Sequence, residues 1–185
     1  QTGDYQAQQS YTRQINRLRF KQRGTYMEFD SSQHAKQFNF QKEKLEITFN
    51  TTNQDGILWV SQIRNKRNML YLKDGELTFA YTRTEHGGHV SLEHFTFLRR
   101  DNRAVNLADG LPHTVVLTRE REGITLDIDN GLVREVHPLS SDVQILPNGF
   151  IYLGGHPNIY GISTKILRNI RDGFIGDIHK IKLIG

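Results

Sequence analysis

The chain reads as an all-β protein, a sandwich of two antiparallel sheets. Three observations predict that class. From Gly24 onward, apolar and polar residues alternate with a period of two in most segments. Asp-Gly and Asn-Gly turn pairs separate those segments at short intervals. No stretch sustains a helical period beyond a single turn.

In chain order, residues 1–20 carry Gln1, Gln6, Gln8, Gln9 and Gln14 without a sustained period and are expected to form a linker or N-terminal arm. The domain proper is expected over residues 21–185. Thr25-Tyr-Met-Glu-Phe29, Leu45-Glu-Ile-Thr-Phe49 and Gly56-Ile-Leu-Trp-Val60 are short apolar strands. Asn68-Met-Leu-Tyr-Leu72 and Glu76-Leu-Thr-Phe-Ala-Tyr81 flank Lys73-Asp74-Gly75, where Asp-Gly supplies the positive φ angles of a tight type I′ turn. Gly87-Gly88 marks a third turn. His113-Thr-Val-Val-Leu-Thr118 is a strand with one buried face. Ile124–Ile128 and Leu132–Val136 surround Asp129-Asn130-Gly131, a second hairpin of the tight kind. Phe150–Leu153 precedes Gly154-Gly155, and His179-Lys-Ile-Lys-Leu-Ile184 closes the chain as a strand. Between them, Ile162–Arg171 is the one place with room for a helical turn.

Composition bounds the function. With 185 residues there is enough chain for one real core. The absence of cysteine excludes disulfides, thiol nucleophiles and Cys-ligated zinc. No apolar run reaches the roughly 20 residues needed to span a bilayer, and no leader peptide is evident, so a secreted protein would be represented here by a mature fragment or an excised module. Lys and Arg number 24 against 20 Asp and Glu, a net charge of +4 that leans mildly towards anionic partners. Asn50-Thr51-Thr52 is the only Asn-x-Ser/Thr sequon, a candidate glycosylation site at Asn50 that favours secretion.

The order of motifs resembles that of the laminin G-like (LNS) domain. It is carried by Leu45-Glu-Ile-Thr-Phe-Asn-Thr51 before Gly56-Ile-Leu, by Leu72-Lys-Asp-Gly-Glu-Leu77, and by Leu107-Ala-Asp-Gly-Leu-Pro-His-Thr-Val115. Leu126-Asp-Ile-Asp-Asn-Gly131, Tyr152-Leu-Gly-Gly155 and Gly173-Phe-Ile-Gly-Asp-Ile178 complete it. The resemblance implies a jelly-roll (concanavalin-like) sandwich. It also implies an extracellular matrix or cell-surface adhesion module, whose partners are a protein receptor, a sulfated glycan or neighbouring domains of a larger protein. Members of that family usually carry a cysteine in the terminal motif. Asp177 stands there instead, which marks a divergent, cysteine-free member.

Three basic clusters fall on predicted loops and would suit sulfate groups: Arg64, Lys66 and Arg67; Arg99, Arg100 and Arg103; and Lys165, Arg168 and Arg171. Asp101, Glu120 and Asp172 dilute them, and scattered solvated charges are the simpler account. The resemblance further implies a calcium ion at one rim. Asn68 matches an acidic ligand position, Asp142, Gln144 and Asn148 are candidates for a second, and a backbone carbonyl near Phe79 would complete the set. Calcium favours formal negative charge, whereas Asn68 is neutral and follows Arg64, Lys66 and Arg67, so a residue merely opening a strand is the plainer reading. No cofactor is required.

Other chemistries have thinner support. His86, His89 and His94 flank or follow a Gly-Gly turn, which is better read as a hairpin than as a zinc site. The resemblance gives His113 a structural role. Asp127 and Asp129 alternate as glycosidase carboxylates do, but Asp129 belongs to a turn, and no nucleophile elbow or phosphate-binding loop appears. The chain is therefore expected not to be an enzyme. Trp59, Met27 and Met69 would line a lipophilic cavity but read as core. The basic clusters lack the aromatic interleaving of a nucleic-acid platform. The expected function is adhesion through rim loops that bind protein or a heparin-like glycan. The alternatives are a calcium-dependent receptor- or glycan-binding module and a structural spacer.

Overall fold

The computed structural model describes residues 12–22, 24–30, 42–64, 66–84, 87, 90–96, 103, 105–120, 123–138, 145, 149–158 and 173–184. They form twelve strands in two sheets, with no helix among the described residues. The first sheet has the order β1(Thr12–Phe20), β12(Gly176–Ile184), β3(Glu43–Asn50), β8(His113–Glu120), β9(Gly123–Ile128), β10(Val133–Pro138). The second runs β2(Met27–Asp30), β11(Phe150–Leu153), β4(Gly56–Ile63), β5(Lys66–Lys73), β6(Glu76–Thr84), β7(Val90–Thr96). Every strand pairing is antiparallel. Non-consecutive neighbours in both sheets give the crossed connections of a jelly roll.

Period-two sequence becomes one-sided burial in the first sheet. In β3, Leu45, Ile47 and Phe49 point inward, and across the register Val115 and Leu117 of β8 do the same. β4 and β5 read instead as nearly unbroken apolar runs, because both of their faces are shielded. Leu58, Trp59, Leu70 and Leu72 enter the main core, while Ile57, Val60, Met69, Tyr71, Ala80 and Tyr152 make a second buried cluster on the outward face. The Trp59 indole N–H is buried without a hydrogen-bond partner among the described residues.

Two segments depart from the sequence reading. Thr12–Phe20, expected to be part of an arm, is β1, paired with β12 from Thr12↔Ile184 to Phe20↔Gly176. Packing explains the difference: Phe20 is buried against Phe174, with ring centroids 6.1 Å apart. The Asp129-Asn130-Gly131 turn is wider than a two-residue hairpin. Ile128 pairs with Val133, and Asp129, Asn130 and Gly131 all have positive φ. The Asp74-Gly75 turn is the tight kind, with Lys73 paired to Glu76 and φ of 53° and 76° at its two central residues. Residues 1–11 and the Ile162–Arg171 segment lie outside the described residues.

The Gly154-Gly155 and Gly173-Phe174 motifs meet directly. The Phe174 N–H donates to the Gly154 carbonyl at 2.8 Å, and a Cβ on Gly173 would lie 2.6 Å from that oxygen. Glycine there lets two backbones touch where any side chain would hold them apart.

Candidate functional site

Three cations, Arg17, Arg19 and Lys21, gather at the corner where β1 leaves the first sheet for β2. Arg17 sits mid-strand at φ 55°, at the level where β12 bulges against β3 between Ile178 and Lys180. Two adjoining grooves open here, of about 460 and 580 Å³. Leu18, Arg19 and Lys21 border both; Phe20, Tyr26 and Met27 belong to the first, and Arg17, Asp177 and His179 to the second. Arg19 Nε donates to Asp177 Oδ1 at 2.8 Å. Arg17 and Lys21 are exposed and have no ion-pair partner among the described residues. Asp177, the residue at the usual cysteine position, thus ties the last strand to the first by an ion pair, which at this exposure adds little stability.

None of these cations was among the predicted ligands. Their signal is the basic–apolar alternation Arg17-Leu-Arg-Phe-Lys21, which directly follows the Gln-rich stretch. Of the predicted clusters, Arg64 does occupy a turn, but Lys66 and Arg67 lie on β5, not on a loop. They pair with Ile63 and Gln62, which leaves a connection of only two residues. Arg67 Nε donates to Gln62 Oε1 at 3.2 Å. Arg103 is exposed ahead of β8. Arg99, Arg100, Lys165, Arg168 and Arg171 lie outside the described residues, so the three clusters are not seen to converge.

Comparison with known proteins places this architecture. The model of the Laminin G domain family matches residues 49–185. The chain belongs to the laminin G domain family. Human laminin subunit alpha-1 is 29% identical to it over 171 residues, covering 88% of this chain but only 5% of that protein. Among solved structures, mouse laminin alpha1 domains LG4-5 superpose with a TM-score of 0.66 at 15% identity, covering 90% of this chain and 42% of that one. The CBM40 module of a Ruminococcus gnavus IT-sialidase gives 0.59 at 16% identity, covering 92% of this chain and 90% of that one, and the same module has been solved with sialyllactose bound.

In this laminin G domain the calcium candidates divide. Asn68 is buried inside β5, not at its opening, and its Nδ2 donates to Ser61 Oγ at 3.3 Å. Phe79 is buried in β6. Asp142, Gln144 and Asn148 lie outside the described residues. No group of three His, Cys, Asp or Glu side chains converges among the described residues. A neutral amide next to Arg67 does not fit a calcium ion on its own.

Two histidines are held by defined networks. His113 is buried between two carboxylates, Nδ1 lying 2.6 Å from Asp129 Oδ2 and Nε2 2.8 Å from Asp109 Oδ1. Burial opposes the charged ring, but the hydrogen bonds and charges of Asp129 and Asp109 outweigh it and raise the pKa above the usual histidine value. With the Thr114 N–H on Asp129 and the Leu111 N–H on Asp109, the network anchors two loops to β8. His156 is its opposite. Nδ1 accepts from the Asn158 N–H at 3.0 Å, so Nε2 carries the proton donated to Gln62 Oε1 at 2.8 Å. Burial, then the nearby Arg67 charge, lower its pKa to about 4 and keep the ring neutral. His86 and His89 lie outside the described residues, and His94 is on β7.

At the sequon, Asn50 ends β3 and its Oδ1 accepts from His179 Nε2. Asp127 and Asp129 are both structural acceptors, for the Gly131 N–H and for His113.

Proposed function

We propose that this laminin G domain is an extracellular matrix or adhesion module that holds a sulfated, heparin-like glycan. The observation that carries the reading is the pair of adjoining grooves at the β1–β2 corner, where Arg17 and Lys21 face solvent beside the paired Arg19. Guanidinium and ammonium groups bordering a groove suit sulfate oxygens. The fold is one on which a related architecture is known with an acidic sugar bound. Arg64, Lys66, Arg67, Arg99, Arg100, Arg103, Lys165, Arg168 and Arg171 extend the same proposal as secondary contacts. The laminin relative supports an extracellular location, and Asn50 is proposed to carry a glycan on its side-chain nitrogen.

Heparin-affinity chromatography tests it. The wild-type domain should elute above physiological salt, and an Arg17→Ala/Lys21→Ala variant should elute several tenths of a molar earlier, because exposed contacts are screened by salt. An Arg99→Ala/Arg100→Ala/Arg103→Ala variant measures the contribution of the predicted loop. Elution of the wild type at or below physiological salt sinks the glycan reading and leaves a spacer or a protein-binding module. Running the column with EDTA in place of calcium should leave elution unchanged; an EDTA-dependent loss would favour the calcium-dependent alternative.

A further inference from the structure

Beside the basic grooves, the outward face of the second sheet carries two exposed aromatic rings, Tyr26 and Phe150, set on either side of the buried Tyr152. Tyr152 lies between Tyr26, at a centroid distance of 6.0 Å and edge-on, and Phe150, at 6.3 Å and nearly parallel. Tyr26 and Phe150 are 40% and 42% exposed, although burying either ring would be favourable. The remaining exposed large apolar residues described, Leu111, Leu132 and Val136, are aliphatic and belong to no such arrangement.

The strand register sets polar groups around these rings. Glu28 pairs with Tyr152, and two residues along, Phe150 pairs with Gln62, which pairs with Arg67. Residues two apart on a strand share a face, so Glu28 and Arg67 lie on the same outward surface as the rings. Glu28 is exposed and has no hydrogen-bond or ion-pair partner among the described residues. Arg67 spends only Nε, on Gln62. Below them His156 packs on Tyr152 at 4.5 Å and fixes Gln62, so the floor of the patch is already ordered.

We infer that this patch binds a hexopyranose unit of a glycan by stacking its C–H face on Phe150, with Tyr26 as a side wall and the buried Tyr152 supporting both rings, while Glu28 accepts from and Arg67 donates to the ring hydroxyls. A pyranose has one apolar face and a rim of donors and acceptors, which matches the exposed Phe150 ring walled by Tyr26 and flanked by one carboxylate and one guanidinium. A net charge of either sign on the ligand would meet one like charge in the pair. An aliphatic protein surface would desolvate Glu28 and Arg67 without pairing them. Burial, Glu28 and Tyr26 raise the Tyr152 pKa against the pull of Arg67, which keeps its hydroxyl protonated. This site does not need the basic grooves or calcium. Tyr26 borders both surfaces, so the platform adjoins the first groove.

Saturation-transfer NMR on the wild-type domain with lactose, cellobiose and maltose, each at 0.15 M and 1 M NaCl, tests the inference. Transfer to ring C–H protons is expected from at least one disaccharide. It should persist at high salt, with amide shifts mapping to β2 and β11. Phe150→Ala and Glu28→Gln should each weaken binding at least fivefold while melting close to the wild type. No transfer from any of the three sugars, shifts mapping elsewhere, or binding unchanged in both variants would overturn it. Phe150 and Glu28 lie outside the basic grooves, so a failure here is separable from a failure on heparin.

Discussion

His113 shows how much a single side chain organises when two carboxylates share it. Its raised pKa means that the contribution of the charged ring is fully present below the usual histidine value of about 6.5 and is lost as pH rises through the raised value. Burial opposes the charged form of Asp109 as well. The hydrogen bond from His113 and the Leu111 N–H outweigh it and lower that pKa, so its contribution is lost as pH falls through the lowered value. The network therefore stabilises most in mildly acidic solution. Replacing His113→Gln should cost on the order of 2 kcal/mol at pH 5.5, consistent with hydrogen bonds to charged groups, and distinctly less at pH 9. Urea denaturation of both proteins at the two pH values measures it; an equal loss at both would show that the ring acts only by packing. The His113 side chain was legible from the motif around it, but its partner Asp129 was not, because the two are brought together only when β8 and β9 pair.

At the scale of elements, legibility followed periodicity. β3, β8 and β9 bury alternate residues and read correctly, and the Asp74-Gly75 hairpin announced its own turn type. β1 was missed because the left-handed Arg17 breaks its run: Ile15 and Leu18, three apart, both pack on the core, so the period of two on which recognition depends is lost. Lys66 and Arg67 looked like loop because charged residues cluster there, yet β4 and β5 continue beyond the buried part of their sheet, where charge is tolerated. Gly75 illustrates a turn with two constraints. Its φ is +76°, and a Cβ would fall 2.2 Å from Asn106 Oδ1 and 2.6 Å from Gln54 Oε1. Its N–H also donates to the Gln54 carbonyl at 2.8 Å, and its carbonyl accepts from the Leu107 N–H at 2.8 Å. Gly75→Ala should therefore destabilise by about 2 kcal/mol, combining backbone strain with displacement of both amide side chains. Thermal melting would show it, and an unchanged midpoint would mean that the loops around the hairpin yield freely.

For the whole molecule, the two sheets are closed along both long sides. Phe95 of β7 stacks on His137 of β10 at 3.8 Å, and Phe20 at the end of β1 plugs the opposite side against Phe174. A chain beginning at residue 21 would lose that plug and expose the β12 edge. By the usual cost of removing a buried Phe, its melting point should fall by about 10 °C, with a tendency to associate through the bared strand. Scanning calorimetry and light scattering on the shortened chain check both, and a wild-type melt would restore residues 12–20 to the status of an arm. The same pairing fixes how the domain bears load. Thr12 and Ile184 are cross-strand partners, so chain entering at one and leaving at the other does so at a single point on the rim. Tension applied through those ends opens the β1–β12 ladder one hydrogen bond after another, as a zipper, instead of shearing all of them together. Under such tension the module would yield first at this seam, and the basic grooves, built on the far end of the same two strands, would be the last part of the seam to part.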